Sequence, residues 1–314
     1  MIDNLMLENL YKKDKRSIAR LISLIESENN KSLEYLKAIH NRTGNAYRIG
    51  ITGPPGAGKS TLTNQISKIF LSQSKSVAII AVDPTSPYTG GALLGDRVRM
   101  NDIGLRNDVF IRSMATRGSL GGLGYQTVDC ADILDAAGFD LIIFETVGVG
   151  QSELDIVKAA DTTIVTLVPE SGDSIQAMKA GLMEIADIFV INKFDRPAAE
   201  NAFTALQTIL TFRICEHDDW IPTVLKSVAS LNQGIAQIVE TIEEHHTYLI
   251  GKNLFQKKRA ENLKWRIKDI VSEKLSKKLW DTKNNSLFET DISDILSGRL
   301  SPHELAEKII SKLE

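Results

Sequence analysis

The chain has 314 residues, a formal net charge of −3 and 25% charged residues. That length allows one large core with appendages, and the nearly balanced charge excludes a general nucleic-acid or membrane-surface binder. Two isolated cysteines, Cys130 and Cys215, form no C-x-x-C pair, which argues against a disulfide framework or zinc site and fits a reducing, cytoplasmic setting.

From the amino terminus, acids and amides interrupt every apolar run, so no signal peptide is expected. No later stretch approaches the roughly 18 uncharged apolar residues that a transmembrane helix needs. Residues 1–45 read as helical. Leu10, Ile18, Leu21, Ile22 and Ile25 recur at three- and four-residue spacings, and a second short helix covers Leu33–His40. Residues 46–250 alternate short apolar runs with helical patterns, which predicts an α/β fold with a mostly parallel sheet flanked by helices. The predicted strands are Arg48–Thr52, Val77–Val82, Val109–Arg112, Leu141–Glu145, Thr163–Leu167, Ile188–Asn192 and Pro222–Lys226. His245-His246 points to opposite sides of a helix and reads as surface.

Residues 251–314 are Lys-rich and strand-free. Leu263, Ile267, Ile270, Val271 and Leu275 mark one long amphipathic helix, whose stripe must be buried either by folding back on the α/β domain or by pairing with the same helix of a second chain; its place beyond the last strand favours the pairing. Ser301-Pro302-His303-Glu304 is a capping box with proline at the first helical position, and Leu305, Ile309, Ile310 and Leu313 are expected to face inward.

The chemistry begins at Gly53-Pro-Pro-Gly-Ala-Gly-Lys-Ser60, a complete G-x-x-x-x-G-K-[ST] phosphate loop between a predicted strand and a predicted helix. Its glycines let backbone N–H groups at Gly56, Ala57 and Gly58 turn toward α/β-phosphates. Lys59 reaches the β/γ-phosphates, Ser60 ligates Mg²⁺, and Thr61 follows in the first helical turn. A second motif, Asn192-Lys193-Phe194-Asp195, ends the strand Ile188–Asn192, at the sheet edge where α/β folds bind ligands. The Asp195 carboxylate can accept from guanine N1–H and N2–H₂, a donor pair that adenine lacks. Asn192 would face the opposite edge of the base, and the Lys193 stem would cover a ring face. Ser227-Val228-Ala229 is a weaker candidate for closing over the base with N–H groups.

Around Ser60, oxygen ligands for the metal are expected from Asp83 and Glu145, both at strand ends, and from Asp96 in a Gly-rich stretch. The competing reading of Asp96 is a cap for the following helix. Glu145-Thr-Val-Gly-Val-Gly-Gln-Ser-Glu153 occupies the place of a nucleotide switch: Gly148 offers an N–H to the γ-phosphate, and Gln151 is a candidate for positioning water. The competing reading has Gln151-Ser152 merely opening a helix. Arg97, Arg99, Arg112 and Arg117 include candidate phosphate or partner contacts, although any single one reads more readily as a solvated surface charge. Cys215-Glu216-His217-Asp218-Asp219 reads as a solvated loop, because adjacent loop residues cannot all face one ion.

Taken together these segments resemble the GTPases associated with methylmalonyl-CoA mutase, the MeaB/ArgK type, over nearly the whole chain. The resemblance rests on Gly53–Thr61, Asp83-Pro-Thr-Ser with Gly90–Arg97, Ile111–Gly118 leading into Leu120-Gly-Gly, Glu145–Glu153, Gly172-Asp173 with Gln176 and Lys179, and Glu184–Asp195. It implies a P-loop GTPase domain over 46–250, an N-terminal helical extension over 1–45 and a dimerisation arm over 251–314. It further implies a homodimer that uses GTP and Mg²⁺ to assist cobalamin loading, protection or reactivation of an adenosylcobalamin-dependent acyl-CoA mutase. Asp173 and Lys179 would work in a switch that signals to the mutase. Glu170, where relatives commonly have Gly, and Phe194, where they commonly have a small residue, depart from the pattern. Two alternatives are a nickel metallochaperone-like GTPase and a small-molecule kinase or transport-linked ATPase. The sequence shows no Cys/His ligand spacing for the first, and Asn192–Asp195 speaks against ATP for the second.

Overall fold

The computed structural model of the chain describes residues 2–27, 29–83, 101–115, 125–146, 152–169, 180–211, 219–280 and 291–311. The described residues divide into two compact units, 1–259 and 260–314.

The first unit opens with three helices, α1 (Asn4–Tyr11), α2 (Lys15–Glu26) and α3 (Asn30–Ile39). The long predicted helical stretch is broken at Lys13, whose φ of +58° is left-handed. Asp14 then caps α2 by accepting from the Ser17 N–H at 2.8 Å and from its hydroxyl at 2.7 Å. These bonds hold its carboxyl below the usual range.

All seven predicted strands form: β1 (Tyr47–Thr52), β2 (Val77–Asp83), β3 (Val109–Ala115), β4 (Leu141–Thr146), β5 (Thr162–Leu167), β6 (Ile188–Ile191) and β7 (Thr223–Lys226). They make one parallel sheet in the order β3-β2-β4-β1-β5-β6-β7. Period-two alternation distributes their apolar residues over both faces. Ala78, Ile80, Ile142 and Phe144 pack with α5 (Tyr125–Ala136) and the N-terminal helices. Ile49, Ile51, Val77, Ile79 and Ile143 pack with α4 (Lys59–Ser72) and with Ile235, Ile238 and Ile242 further along the chain. Helix α6 (Ala199–Thr211) covers β6 and β7, and α7 (Ile235–Gly251) carries the three isoleucines just named.

At the amino-terminal edge of the sheet lies a buried polar cluster that helical periodicity does not anticipate. His245, expected at the surface, is 2% exposed. Its Nδ1 lies 2.6 Å from Thr162 Oγ1, which also bonds the Tyr47 hydroxyl, and Trp220 packs against the imidazole. His246 is half-buried and stacks on Tyr47 with ring centroids 4.0 Å apart. Both faces of α7 are thus covered here. Burial holds His245 down at about 4, the nearby Asp187 only partly opposing it.

A pH dependence follows. Between about 6.5 and about 4 the unfolded chain binds a proton at this histidine and the folded chain does not, so stability falls as pH drops through that window. The loss is expected to approach about 3 kcal/mol. Urea midpoints of the wild type and His245→Gln, measured from pH 7.5 to 4.5, should converge toward low pH. A constant difference across the range would remove His245 as the source.

Helix α8 (Leu254–Leu279) carries the chain into the second unit. In that unit Leu263, Ile267, Val271 and Leu275 are about half exposed on α8. The last helix, α9 (Pro302–Ile310), starts at the predicted capping box: Ser301 Oγ accepts from the Glu304 N–H, and the Glu304 carboxylate accepts from the Ser301 N–H at 2.7 Å. Leu305 and Ile309 are buried, but Ile310 is 58% exposed, contrary to expectation, because it follows Ile309 by one residue and turns to another face. Leu313 lies outside the described residues. No described helix is long and apolar enough to cross a membrane.

Candidate functional site

The loop between β1 and α4 is shaped by close approaches that exclude side chains. Gly53 has φ +135°, and a Cβ there would stand 2.0 Å from the Thr166 carbonyl oxygen of β5. Gly58 has φ +86°, and a Cβ there would meet Asn192 Nδ2 at 2.4 Å. Within the loop, Lys59 is 6% exposed and its Nζ donates to the carbonyls of Gly53 at 2.6 Å and Pro54 at 2.9 Å. This folds the ammonium back over the loop backbone, at the amino end of α4 where N–H groups and the helix dipole favour an anion. Gly56 and Ala57 complete the turn, and Thr61 is half-buried in the first turn of α4.

Parallel register sets an acid against this loop. Ile51 of β1 lies opposite Glu145 of β4, and the Ser60 hydroxyl donates to Glu145 Oε1 at 2.5 Å. Ser60 and Glu145 are 7% and 4% exposed. Next to them the Thr146 hydroxyl donates to Thr52 Oγ1 at 2.9 Å, a link between the ends of β4 and β1. Two hard oxygens in contact are the donor chemistry that Mg²⁺ prefers. Asp83 is the last residue of β2 and adjoins the same strand ends, since Val82 pairs with Thr146. Among the described residues no group of three or more His, Cys, Asp and Glu side chains stands together as a metal set. The expected contributions of Asp96, Gly148, Gln151, Asp173 and Lys179 lie outside the described residues.

The second motif arrives at the same edge. Asn192, read from sequence as facing the base, is 2% exposed and bridges protein elements. Its Nδ2 donates to the Ala57 carbonyl at 2.8 Å, and its Oδ1 accepts from Ser227 Oγ at 3.1 Å and the Ala229 N–H at 3.0 Å. Lys193 has φ +57° and donates to the Gly56 carbonyl at 2.6 Å. The phosphate loop and the Asn192–Asp195 loop are thereby fastened to each other, leaving the Asp195 carboxylate exposed beside them.

Ser227-Val228-Ala229 takes a different part from the one expected. Its three N–H groups donate to the Ile191 carbonyl, the Gln233 carbonyl and Asn192 Oδ1, so the segment braces Asn192. Sequence reading also missed the packing behind Phe194. Lys226 Nζ lies 4.5 Å from the Phe194 ring and 4.3 Å from Phe203, and pairs with Glu200 at 2.9 Å. No spacing rule connects these positions. Arg112, a candidate phosphate or partner contact, instead pairs with Glu26 of α2. Of the other three arginines, Arg97, Arg99 and Arg117, none lies in the described residues, and the same holds for residues 215–218 of the acidic loop.

Comparison with known proteins places this geometry in a lineage. The family model described as "Methylmalonyl Co-A mutase-associated GTPase MeaB" matches residues 18–284. A putative GTPase of Pyrococcus abyssi is 45% identical over 100% of this chain and 97% of its own length. The GTPase ArgK of Escherichia coli is 34% identical over 94% of this chain and 92% of its own length. Among solved structures, one described as a LAO/AO transport system kinase matches with a TM-score of 0.76 at 26% identity. It covers 100% of this chain and 99% of its own.

Proposed function

Because the chain belongs to the MeaB family of methylmalonyl-CoA mutase-associated GTPases, we propose that it binds GTP and hydrolyses it to GDP and phosphate in the service of an acyl-CoA mutase. The cycle would assist cobalamin loading, protection or reactivation of that adenosylcobalamin-dependent enzyme. The observation that supports the reading is the Asn192–Ala57 bond, which fastens the Asn192–Asp195 loop to the Gly53–Ser60 loop at one sheet edge. A homodimer joined through the arm over 251–314 is part of the proposal. The half-exposed Leu263, Ile267, Val271 and Leu275 are the apolar surface such pairing would cover.

In this mechanism the loop N–H groups and Lys59 hold the phosphates, and Asp195 accepts from guanine N1–H and N2–H₂. Ser60 and Glu145, with Asp83 and Asp96, would hold Mg²⁺, which when bound neutralises charge on the β- and γ-phosphates. Gln151 orients a water for attack on the γ-phosphorus, the bond to the β–γ bridging oxygen breaks, and GDP carries away the charge. Gly148 would offer its N–H to the γ-phosphate, and Asp173 and Lys179 would work in the switch that signals to the mutase. Because the sequence marks no arginine finger, a slow intrinsic rate is expected, which the partner would raise by ordering the switches.

The test compares turnover of GTP and ATP, with and without a purified adenosylcobalamin-dependent mutase. GTP preference with a mutase-dependent rise in kcat supports the reading; ATP preference, or a rate indifferent to the mutase, ends it. Asp195→Asn should cost GTP affinity about 10- to 100-fold, the worth of a charge-assisted hydrogen-bond pair. It should also improve binding of xanthosine triphosphate, whose C2 carbonyl accepts from an amide. Unchanged base preference would show that Asp195 does not read the base.

A further inference from the structure

The carboxylate assigned to the base stands in a short turn that the protein grips at several points. The Arg196 N–H donates to the Lys193 carbonyl at 3.1 Å, so residues 193–196 close one turn with Phe194 and Asp195 at its two central places. Lys193 ties the start of that turn to the Gly56 carbonyl, and the Phe194 N–H donates to the Ser227 carbonyl at 3.0 Å. Asp195 itself is exposed. A carboxylate that must meet two adjacent donors at once depends on the direction its turn gives it.

The side chain just before Asp195 supplies a further hold. The half-buried Phe194 ring meets Phe203 of α6 edge-on, with centroids 6.2 Å apart and planes at 86°. Lys226, the last residue of β7, brings its ammonium to both rings, 4.5 Å and 4.3 Å from their centroids. Both distances lie inside the roughly 6 Å reach of a cation–π contact. That ammonium is fixed in turn by the two carboxylate oxygens of Glu200 on α6, at 3.0 and 2.9 Å. The ring beside Asp195 is thus referred to a strand of the sheet and to the helix that covers it.

We propose that Lys226 and Phe194 are positioning residues for guanine selectivity: the Lys226 ammonium, locked by Glu200, holds the Phe194 ring against Phe203 and so sets the direction of the Asp195 carboxylate. The proposal rests on the reading of Asp195 as the group that meets guanine N1–H and N2–H₂, and adds to it the elements that aim that group. Both side chains act through the turn and not on the base.

The test measures the affinity of the full chain for GDP and for inosine diphosphate, which keeps guanine's N1–H and lacks its 2-amino group. The ratio of the two reports the second hydrogen bond to Asp195, whereas a change that merely loosens the fold lowers both affinities together. The wild type is expected to favour GDP by at least about 10-fold, the worth of one hydrogen bond to a charged group. Lys226→Met, which keeps the stem and removes the charge, and Phe194→Leu, which removes the ring, should each cut that ratio by at least about 3-fold. Phe194→Tyr keeps a ring and should hold the ratio within about 2-fold of the wild type. Lys226 is 40% exposed, so Lys226→Met stays folded and carries the test alone if Phe194→Leu does not fold. If the wild type prefers GDP and Lys226→Met keeps the full ratio, or loses GDP and inosine diphosphate equally, the positioning proposal falls and the GTP reading stands. A wild-type ratio near one removes Asp195 as the reader of the 2-amino group, and the positioning proposal falls with it.

Discussion

Lys59→Ala is expected to weaken binding of GTP and GDP by at least about 100-fold while the chain stays folded. Lys59 is 6% exposed, and its ammonium is held by the carbonyls of Gly53 and Pro54, so the loop presents a fixed charge rather than a flexible one. A charge already ordered loses little side-chain entropy on meeting phosphate, which makes its deletion costly to binding. Lys59→Arg is expected to rescue poorly. The loop is closed around a narrow ammonium by Gly53, with Thr166 backbone at its back, and the broader guanidinium fork does not match two adjacent carbonyls. Titration with a fluorescent GDP analogue measures the effect, and urea unfolding without nucleotide checks the fold. A loss under 10-fold would take Lys59 out of the phosphate site.

The parts legible in the sequence were those written locally. The strands follow from runs such as Val77–Val82 and Leu141–Phe144, and the phosphate loop from eight consecutive residues. What escaped depends on distant partners. Asn192 belongs to a recognisable tetrapeptide, yet its side chain bonds Ala57, 135 residues away, and so fastens two loops, a part no tetrapeptide announces. His245 and His246 gave the pattern of an exposed pair because periodicity reports opposite faces and not what covers them. Trp220 and Thr162 cover one, Tyr47 and Phe255 the other. Ile310 errs the other way, an apolar residue counted inward that the last helix leaves exposed. Apolar spacing defines a stripe, while burial requires a surface to meet it.

The second large effect concerns a residue that carried no motif. Asp161→Ala is expected to destabilise the first unit by about 3–5 kcal/mol. Its carboxylate is nearly inaccessible and accepts from the Arg48 N–H at 2.8 Å and from Arg259 Nε and Nη2 at 2.9 and 2.7 Å. Arg259 also donates to the carbonyls of Ala46 and Gly44, and Lys258 donates to the Asp161 carbonyl at 2.7 Å. The pair therefore ties the start of β1, the entry to β5 and the first turns of α8 into one knot. Truncating the acid leaves a guanidinium buried without its counter-charge, which costs more than the pair itself is worth. Asp161→Ala with Arg259→Met should thus be more stable than Asp161→Ala alone, a recovery of at least about 1 kcal/mol in a double-mutant cycle. Because the knot sits at the edge opposite the phosphate loop, GDP affinity of the folded single variant should remain within 3-fold. If the double variant is no more stable than the single one, the stabilisation comes from the backbone contacts of Arg259 and not from its ion pair.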